Sequence, residues 1–372
     1  MLALDSQFLV EGALLTEPGG GLRLGLGPLG RFASLEEALS KGSQAVFYAP
    51  DFFQSDPLPW LAFTESHHLT LKELEEQLLH WSERDSLPSA QEESWQEPDL
   101  EVFKEDFFQA QELFRRGLAK KVVPLVFAQR PGSVSRDQRK RALLQALRSL
   151  KYLNSSKGWG PSSWLYGYWS ESEGEGLLGL SPELLFCLTK PGELRSLALA
   201  GTGSLDGPPL LSDPKQLAEH NWVVQGLCDR LGGLGEVKVG PTFEWALSHL
   251  KHLRTDMEVG LSKAPDFLDL VNRLHPTAAL GSYPLEALPL WIERASDSNR
   301  SRGRFGAPFG FYQKPEVGPS WAVVAIRNLQ WSQGQTLLGS GCGLVAQSQL
   351  LDEWNELNLK RSAVRKIFFG RS

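Results

Sequence analysis

The stretch SWLYGYWSESEGEGLLGLSPELLFCLT (163–189) decides the fold. Residues 163–170 and 176–189 are rich in aromatic and branched apolar side chains, the composition of strands. The acidic, glycine-containing ESEGEG between them is a turn, so the two runs read as an antiparallel pair. Near the C-terminus, WAVVAIRNLQW (321–331) and QTLLGSGCGLV (335–345) read as a second hairpin. KKVVPLVFAQ (120–129) reads as a further strand.

Helices fall in separate blocks. EDFFQAQELFRR (105–116) spaces Phe107, Phe108, Leu113 and Phe114 helically, and Gly117 stops the run. A helix covers about 136–150. Another opens with Asp213 as N-cap and Pro214 at its first position, and Gly232-Gly233 ends it. A long final helix starts near Ser348. Strands in consecutive pairs with helices apart indicate α+β with antiparallel sheets, not a doubly wound parallel sheet.

In the N-terminal part, Ser34 to Glu37 forms a capping box, QAVFYAP (44–50) is strand-like, and a helix runs from Thr70 to about Trp81. The acidic, aliphatic-poor segment 85–98 reads as a linker. It divides an N-terminal region, 1–98, from a catalytic domain, 99–372. Gly25-Leu-Gly-Pro-Leu-Gly30 matches a dinucleotide fingerprint, but the capped helix begins at Ser34, outside the glycine run. Its N-terminus therefore cannot face a pyrophosphate there. The run reads as a turn.

Composition bounds the function. A net charge of −6 over 372 residues argues against nucleic acid as partner. No apolar run approaches the roughly 20 residues that cross a bilayer, so no membrane partner is expected. Three scattered cysteines and an N-terminus without a basic region fit a cytoplasmic protein.

Two helices carry acids that could hold a cation. Glu219 and His220 lie on the Asp213 helix; Glu353 and Glu356 share one face of the last helix, with Lys360 a turn further on. Each acid alone reads more simply as a solvated surface residue. Taken together, carboxylates from two helices suit Mg²⁺, which takes one or two protein carboxylates and fills its octahedron with substrate oxygens and water. Zinc would want His or Cys at ligand spacing, and that spacing is absent. Glu183, after Ser181-Pro182, and Lys121, opening its strand, read alone as an edge residue and a solvated lysine.

In sequence order, however, these segments resemble the chorismate-utilising enzymes: isochorismate, salicylate, anthranilate and aminodeoxychorismate synthases. The resemblance runs from about Glu105 to Lys366. It rests on Gly117-Leu-Ala-Lys-Lys121, Gly179-Leu-Ser-Pro-Glu183, Leu199-Ala-Gly-Thr202, Lys215…Glu219-His220, His252-Leu-Arg-Thr255 and Leu274-His-Pro-Thr277. It continues through Arg304-Phe-Gly-Ala-Pro-Phe-Gly310, Ala325-Ile-Arg327, Gly341-Cys-Gly343 and Glu353-Trp-Asn-Glu356…Lys360.

The resemblance implies two antiparallel sheets packed face to face, helices outside, and a site between them. It implies Mg²⁺ on Glu219 and Glu356 with Glu353 close by. Arg327 would grip the enolpyruvyl carboxylate of chorismate. The other substrate contacts would be Ala200, Gly201, Thr202, His252, Lys360 and the amides around Gly341 and Gly343. Lys121 would be the base that activates water at C2, and Glu183 the acid that protonates the departing C4 hydroxyl. That is an isochorismate synthase, an isomerase.

Salicylate synthase keeps the same lysine and is the nearest alternative. Ala200 disfavours the aminodeoxychorismate branch, whose relatives place a lysine nucleophile there. Anthranilate synthase component I would need an ammonia source, and with Lys121 present no glutaminase subunit is expected. A silent chorismate-binding protein would be expected to lose Lys121, Glu183, Glu219 or Glu356. Quinone and siderophore pathways stay equally open. Pro124 and Phe305 depart from the family pattern.

Overall fold

The computed structural model describes residues 6–41, 45–80, 94–152, 159–190, 192–247, 250–263 and 265–370. The first strands are β1 (Glu11–Thr16), β2 (Leu22–Phe32), β3 (Ala45–Tyr48) and β4 (Trp60–Leu69). β5 (Lys121–Val122), β6 (Leu125–Pro131), β7 (Trp164–Ser170), β8 (Glu175–Ser181), β9 (Leu184–Lys190) and β10 (Glu193–Ser204) follow. The last are β11 (Gly235–Val239), β12 (Phe243–Ala246), β13 (Leu250–Leu261), β14 (Ser282–Tyr283), β15 (Pro308–Gln313), β16 (Ser320–Val324), β17 (Asn328–Ser332) and β18 (Gln335–Gly341). The helices are α1 (Leu35–Ser40), α2 (Leu71–His80), α3 (Leu100–Arg115), α4 (Arg136–Tyr152), α5 (Pro214–Leu231), α6 (Phe267–Leu274), α7 (Leu288–Arg294), α8 (Asp297–Arg300) and α9 (Leu350–Phe369).

Among the described residues the pairing forms one sixteen-stranded antiparallel sheet, ordered β11-β13-β10-β9-β16-β15-β3-β4-β2-β1-β7-β8-β17-β18-β6, with β12 beside β13. Hydrogen bonding thus delimits one large sheet where the sequence suggested two. A ladder this wide twists and curls. Its distant parts meet: Leu15, Trp164, Tyr166, Phe309 and Trp321 share one buried cluster. Trp321 Nε1 donates to Thr16 O at 3.0 Å, although four strands separate β16 from β1 along the ladder. β5 pairs with β14 in a small second sheet, and its Val122 also bridges to Leu344.

Local chemistry explains the helix that matters most. Asp213 accepts from Lys215 N and Gln216 N, Pro214 occupies the first turn, and Gly232 ends α5. Its buried face, including Glu219, Val223 and Leu227, packs on β10 and β13. Ser34 likewise accepts from Glu37 N at 3.1 Å. α2 stops at His80, and both Trp81 and residues 85–93 of the expected linker lie outside the described residues.

Four expectations change. The glycine run is no turn: it lies inside β2, whose register with β4 shifts between Leu26 and Leu29, where Pro28 has no N–H to donate. Three runs read as single strands are each broken once. KKVVPLVFAQ breaks at Val123-Pro124, again where proline cannot donate, into β5 and β6. GLLGLSPELLFCLT breaks at Pro182-Glu183 into β8 and β9, and WAVVAIRNLQW at 325–327 into β16 and β17. Lys121, Glu183 and Arg327 sit at or beside these three breaks.

Candidate active site

A cavity is lined by Glu183, Ala200, Gly201, Thr202, Glu219, His252, Arg327, Gly341, Gly343 and Lys360, with apolar walls from Val123, Leu199, Phe305 and Ile326 among others. Ten of the thirteen residues expected at the site therefore reach one space. Lys121, Glu353 and Glu356 are buried but do not line it.

Lys121 is fully buried at the start of β5, and its Nζ donates to Ala278 O at 2.7 Å. Burial pushes its ammonium pKa down; Lys360 and Lys215 push it the same way, while Glu219 and Glu183 oppose. Glu183 follows Pro182 at the break between β8 and β9. Its Oε1 accepts from Thr277 Oγ1 at 3.4 Å. Burial raises its carboxyl from an ordinary 4.5 to about 8, against the opposing pull of Lys121. One glutamate therefore holds a proton at neutral pH beside one lysine biased towards losing it.

Arg327 has φ of +56°, the left-handed region that non-glycine residues rarely occupy. This kink separates β16 from β17 and turns the side chain into the cavity. Its Nη2 donates to His252 Nε2 at 3.0 Å. His252 Nδ1 in turn contacts Gly201 O at 2.8 Å, which fixes the neutral tautomer with its proton on Nδ1. Burial, with Arg327 and Lys360 nearby, pushes His252 down to about 3, so it stays uncharged. Gly201 is a bulged residue in β10 with φ of +70°, and Gln216 Oε1 accepts from Thr202 N at 2.9 Å. The remaining guanidinium nitrogens of Arg327 are left for a cavity ligand.

The acids cluster next to this. Lys215 Nζ lies 3.1 Å from Glu219 Oε2 and 2.8 Å from Glu353 Oε1, joining α5 to α9. Lys360 Nζ lies 2.7 Å from Glu356 Oε1 and donates to Gly341 O at 2.8 Å. Gly343 fits between the groups: a Cβ there would come within 2.1 Å of Glu219 Oε1 and 2.7 Å of Lys121 Cε. Burial raises the Glu353 carboxyl against the pull of Lys215, with Glu356 and Glu219 adding to the rise, while Lys360 and Lys215 hold Glu356 low against burial.

Among the described residues no three acids, histidines or cysteines are grouped as metal ligands, and the ammonium groups of Lys215 and Lys360 stand among the carboxylates. The donor set still fits a hard divalent cation. It is all oxygen, three carboxylates face two ammoniums, and Glu353 Oε2 is buried without a partner.

Sequence reasoning missed Lys215, Gln216 and Thr277 as site residues. For Lys215 the signal was its place four residues before Glu219 on one helix face. Thr277 carried no spacing signal, since a loop brings it to Glu183.

These features together form a buried cavity in which Arg327 and Lys360 stand near carboxylates, with a depressed lysine and a raised glutamate at its edge. The chain belongs to the chorismate binding enzyme family, whose model matches residues 61–368. It is 34% identical over 200 residues to the salicylate biosynthesis isochorismate synthase of Pseudomonas aeruginosa, covering 51% of this chain and 41% of that protein. It is 31% identical over 207 residues to the isochorismate synthase MenF of Bacillus subtilis, covering 52% and 43%. Those alignments span less than half the length of either relative. The fold is that of MenF, the menaquinone-specific isochorismate synthase of Escherichia coli: TM-score 0.74 at 20% identity, covering 99% of this chain and 92% of that one. No described helix is long and apolar enough to cross a membrane.

Proposed function

We propose that this chain is an isochorismate synthase, isomerising chorismate by adding water at C2 and expelling the C4 hydroxyl. The observation that carries the reading is the buried pair in which a depressed lysine, Lys121, stands near a protonated glutamate, Glu183. Neutral Lys121 takes a proton from the incoming water, and Glu183 gives one to the departing hydroxyl, which leaves as water. Atoms and charge balance over the exchange while the ring double bonds shift. Each proton transfer contributes on the order of 10²–10⁴-fold in rate.

Arg327, braced by neutral His252, presents a planar fork to the enolpyruvyl carboxylate. Glu219, Glu353 and Glu356 are the residues that would hold Mg²⁺. When bound, that ion supplies Lewis-acid polarisation of the ring carboxylate. Lys360 adds positive charge at the cavity wall. The apolar wall of Val123, Leu199, Phe305 and Ile326 limits bulk water around the reacting carbons. Water as nucleophile requires no glutaminase subunit, and the three free cysteines suit a reducing cytoplasm.

The test is product analysis of the purified chain with chorismate and Mg²⁺. Isochorismate without pyruvate is expected. Salicylate with pyruvate, or anthranilate formed only with ammonia, would overturn the assignment.

A further inference from the structure

Lys121 and Glu183 come from different strands, yet both are tied to neighbouring residues of one loop. Ala278 O accepts from Lys121 Nζ at 2.7 Å, and Thr277 Oγ1 donates to Glu183 Oε1 at 3.4 Å. The Ala278 contact commits one N–H of the amine and so directs its lone pair elsewhere. The Thr277 contact occupies Oε1, which leaves the transferable proton on Oε2. The placement of residues 277–280 thus sets the geometry of both proton transfers.

The loop is a turn, with Leu280 N and Gly281 N donating to Thr277 O at 3.1 and 2.8 Å. What holds it from behind is Arg302. This residue is 0% exposed, and its Nη1 donates to Leu280 O at 3.1 Å. Its Nε donates to Asn299 O at 3.1 Å, and the guanidinium lies 4.0 Å over the Phe52 ring. Asn299 is fixed in turn: its Nδ2 donates to Asp106 Oδ2 at 3.0 Å and its Oδ1 accepts from Leu125 N at 3.1 Å.

Arg302 has no ion-pair partner among the described residues. Its Nη2 is buried without a hydrogen bond, and burial alone pushes its pKa down to about 9. A buried cation without a counter-ion is costly, and here the cost is offset by donation to the carbonyls of Leu280 and Asn299 and by the Phe52 ring. Its bonded donors are thus spent on the backbone of the 277–280 turn and of Asn299.

We infer that Arg302 is a positioning residue for the proposed proton transfers: its guanidinium pins the 277–280 turn, and the turn orients Lys121 and Glu183. The inference rests on the isochorismate synthase reading and adds to it a group that touches neither substrate nor reacting atoms.

The test uses the full chain as Arg302→Met and Arg302→Lys, each measured for melting temperature, KM for chorismate and kcat. Arg302→Met is expected to melt below the wild-type temperature but to fold, with KM within about two-fold. Its kcat is expected to fall by about 10- to 100-fold, the scale of a misplaced catalytic group. Arg302→Lys keeps a donor towards Leu280 O and recovers part of kcat. Wild-type kcat in Arg302→Met, or a loss that falls on KM, overturns the inference. Should the methionine chain not fold, the lysine chain decides: a several-fold drop in kcat at unchanged KM supports the role, and wild-type kcat removes it. A wild type that makes no isochorismate removes the functional reading itself; an active wild type with an equally active methionine variant removes only the role of Arg302.

Discussion

Replacing Glu183 by glutamine gives a prediction that stability and rate check separately. Burial holds the Glu183 carboxyl near pKa 8 instead of its ordinary 4.5. Each pKa unit corresponds to about 1.4 kcal/mol, so the folded protein disfavours the anion by on the order of 5 kcal/mol. The sign follows from linkage. Between 4.5 and 8 the folded chain keeps a proton that the unfolded chain has released, so stability from this group is full below 4.5 and falls as pH rises towards 8. Glutamine has no such proton. Urea denaturation of wild type and Glu183→Gln at pH 6 and pH 8 should therefore show wild type losing about 2 kcal/mol relative to the variant. Isochorismate formation by the variant should be down about 10²–10⁴-fold. The wild-type rate should itself decline above about pH 8, as the acid ionises. A stability difference constant across that interval would refute the raised carboxyl, and with it the acid role.

Lys121→Ala should lower water addition by about 10²–10⁴-fold while chorismate binding, followed by calorimetry, stays measurable; wild-type turnover would remove the base. Glu219→Ala and Glu356→Ala should each raise the Mg²⁺ concentration for half-maximal activity by at least about tenfold, and an unchanged titration counts against ligation. Gly343→Ala puts a Cβ 2.1 Å from Glu219 Oε1. It should cost about 1–3 kcal/mol in denaturation and slow turnover, and a variant equal to wild type in both contradicts the packing.

The elements were legible where composition was uniform. α5 announced itself through Asp213, Pro214 and Gly232, and the strand pair β7–β8 through its apolar runs and acidic turn. Two of the three strand breaks carry a legible proline, Pro124 and Pro182, yet the runs read as continuous because apolar residues resume directly after each; the third, at 325–327, carries no such signal. A kink such as that at Arg327 depends on tertiary contacts: Leu180 N donates to Arg327 O, and His252 receives its side chain. The acids of the site were readable as residue types on helix faces. Their compensation by Lys215 was not, since one of its two partners lies on another helix, far along the chain. Thr277, quoted only as the end of Leu274-His-Pro-Thr277, and Arg302 carried no readable role for a similar reason: each acts through a loop whose course no periodicity encodes.

The four strands nearest the N-terminus stand in consecutive places at the middle of the ladder, with β15 on one flank and β7 on the other. A fragment beginning at residue 99 would therefore be no trimmed enzyme. It would be two half-sheets with a gap between them, each offering a raw row of unpaired amides and carbonyls to any other chain in solution. His252 would stay on β13 in one half, while Arg327 lies in the short 325–327 connection that joins β16 of that half to β17 of the other, so the strands that fill the gap contribute none of the expected site residues yet fix how the two halves meet at Arg327.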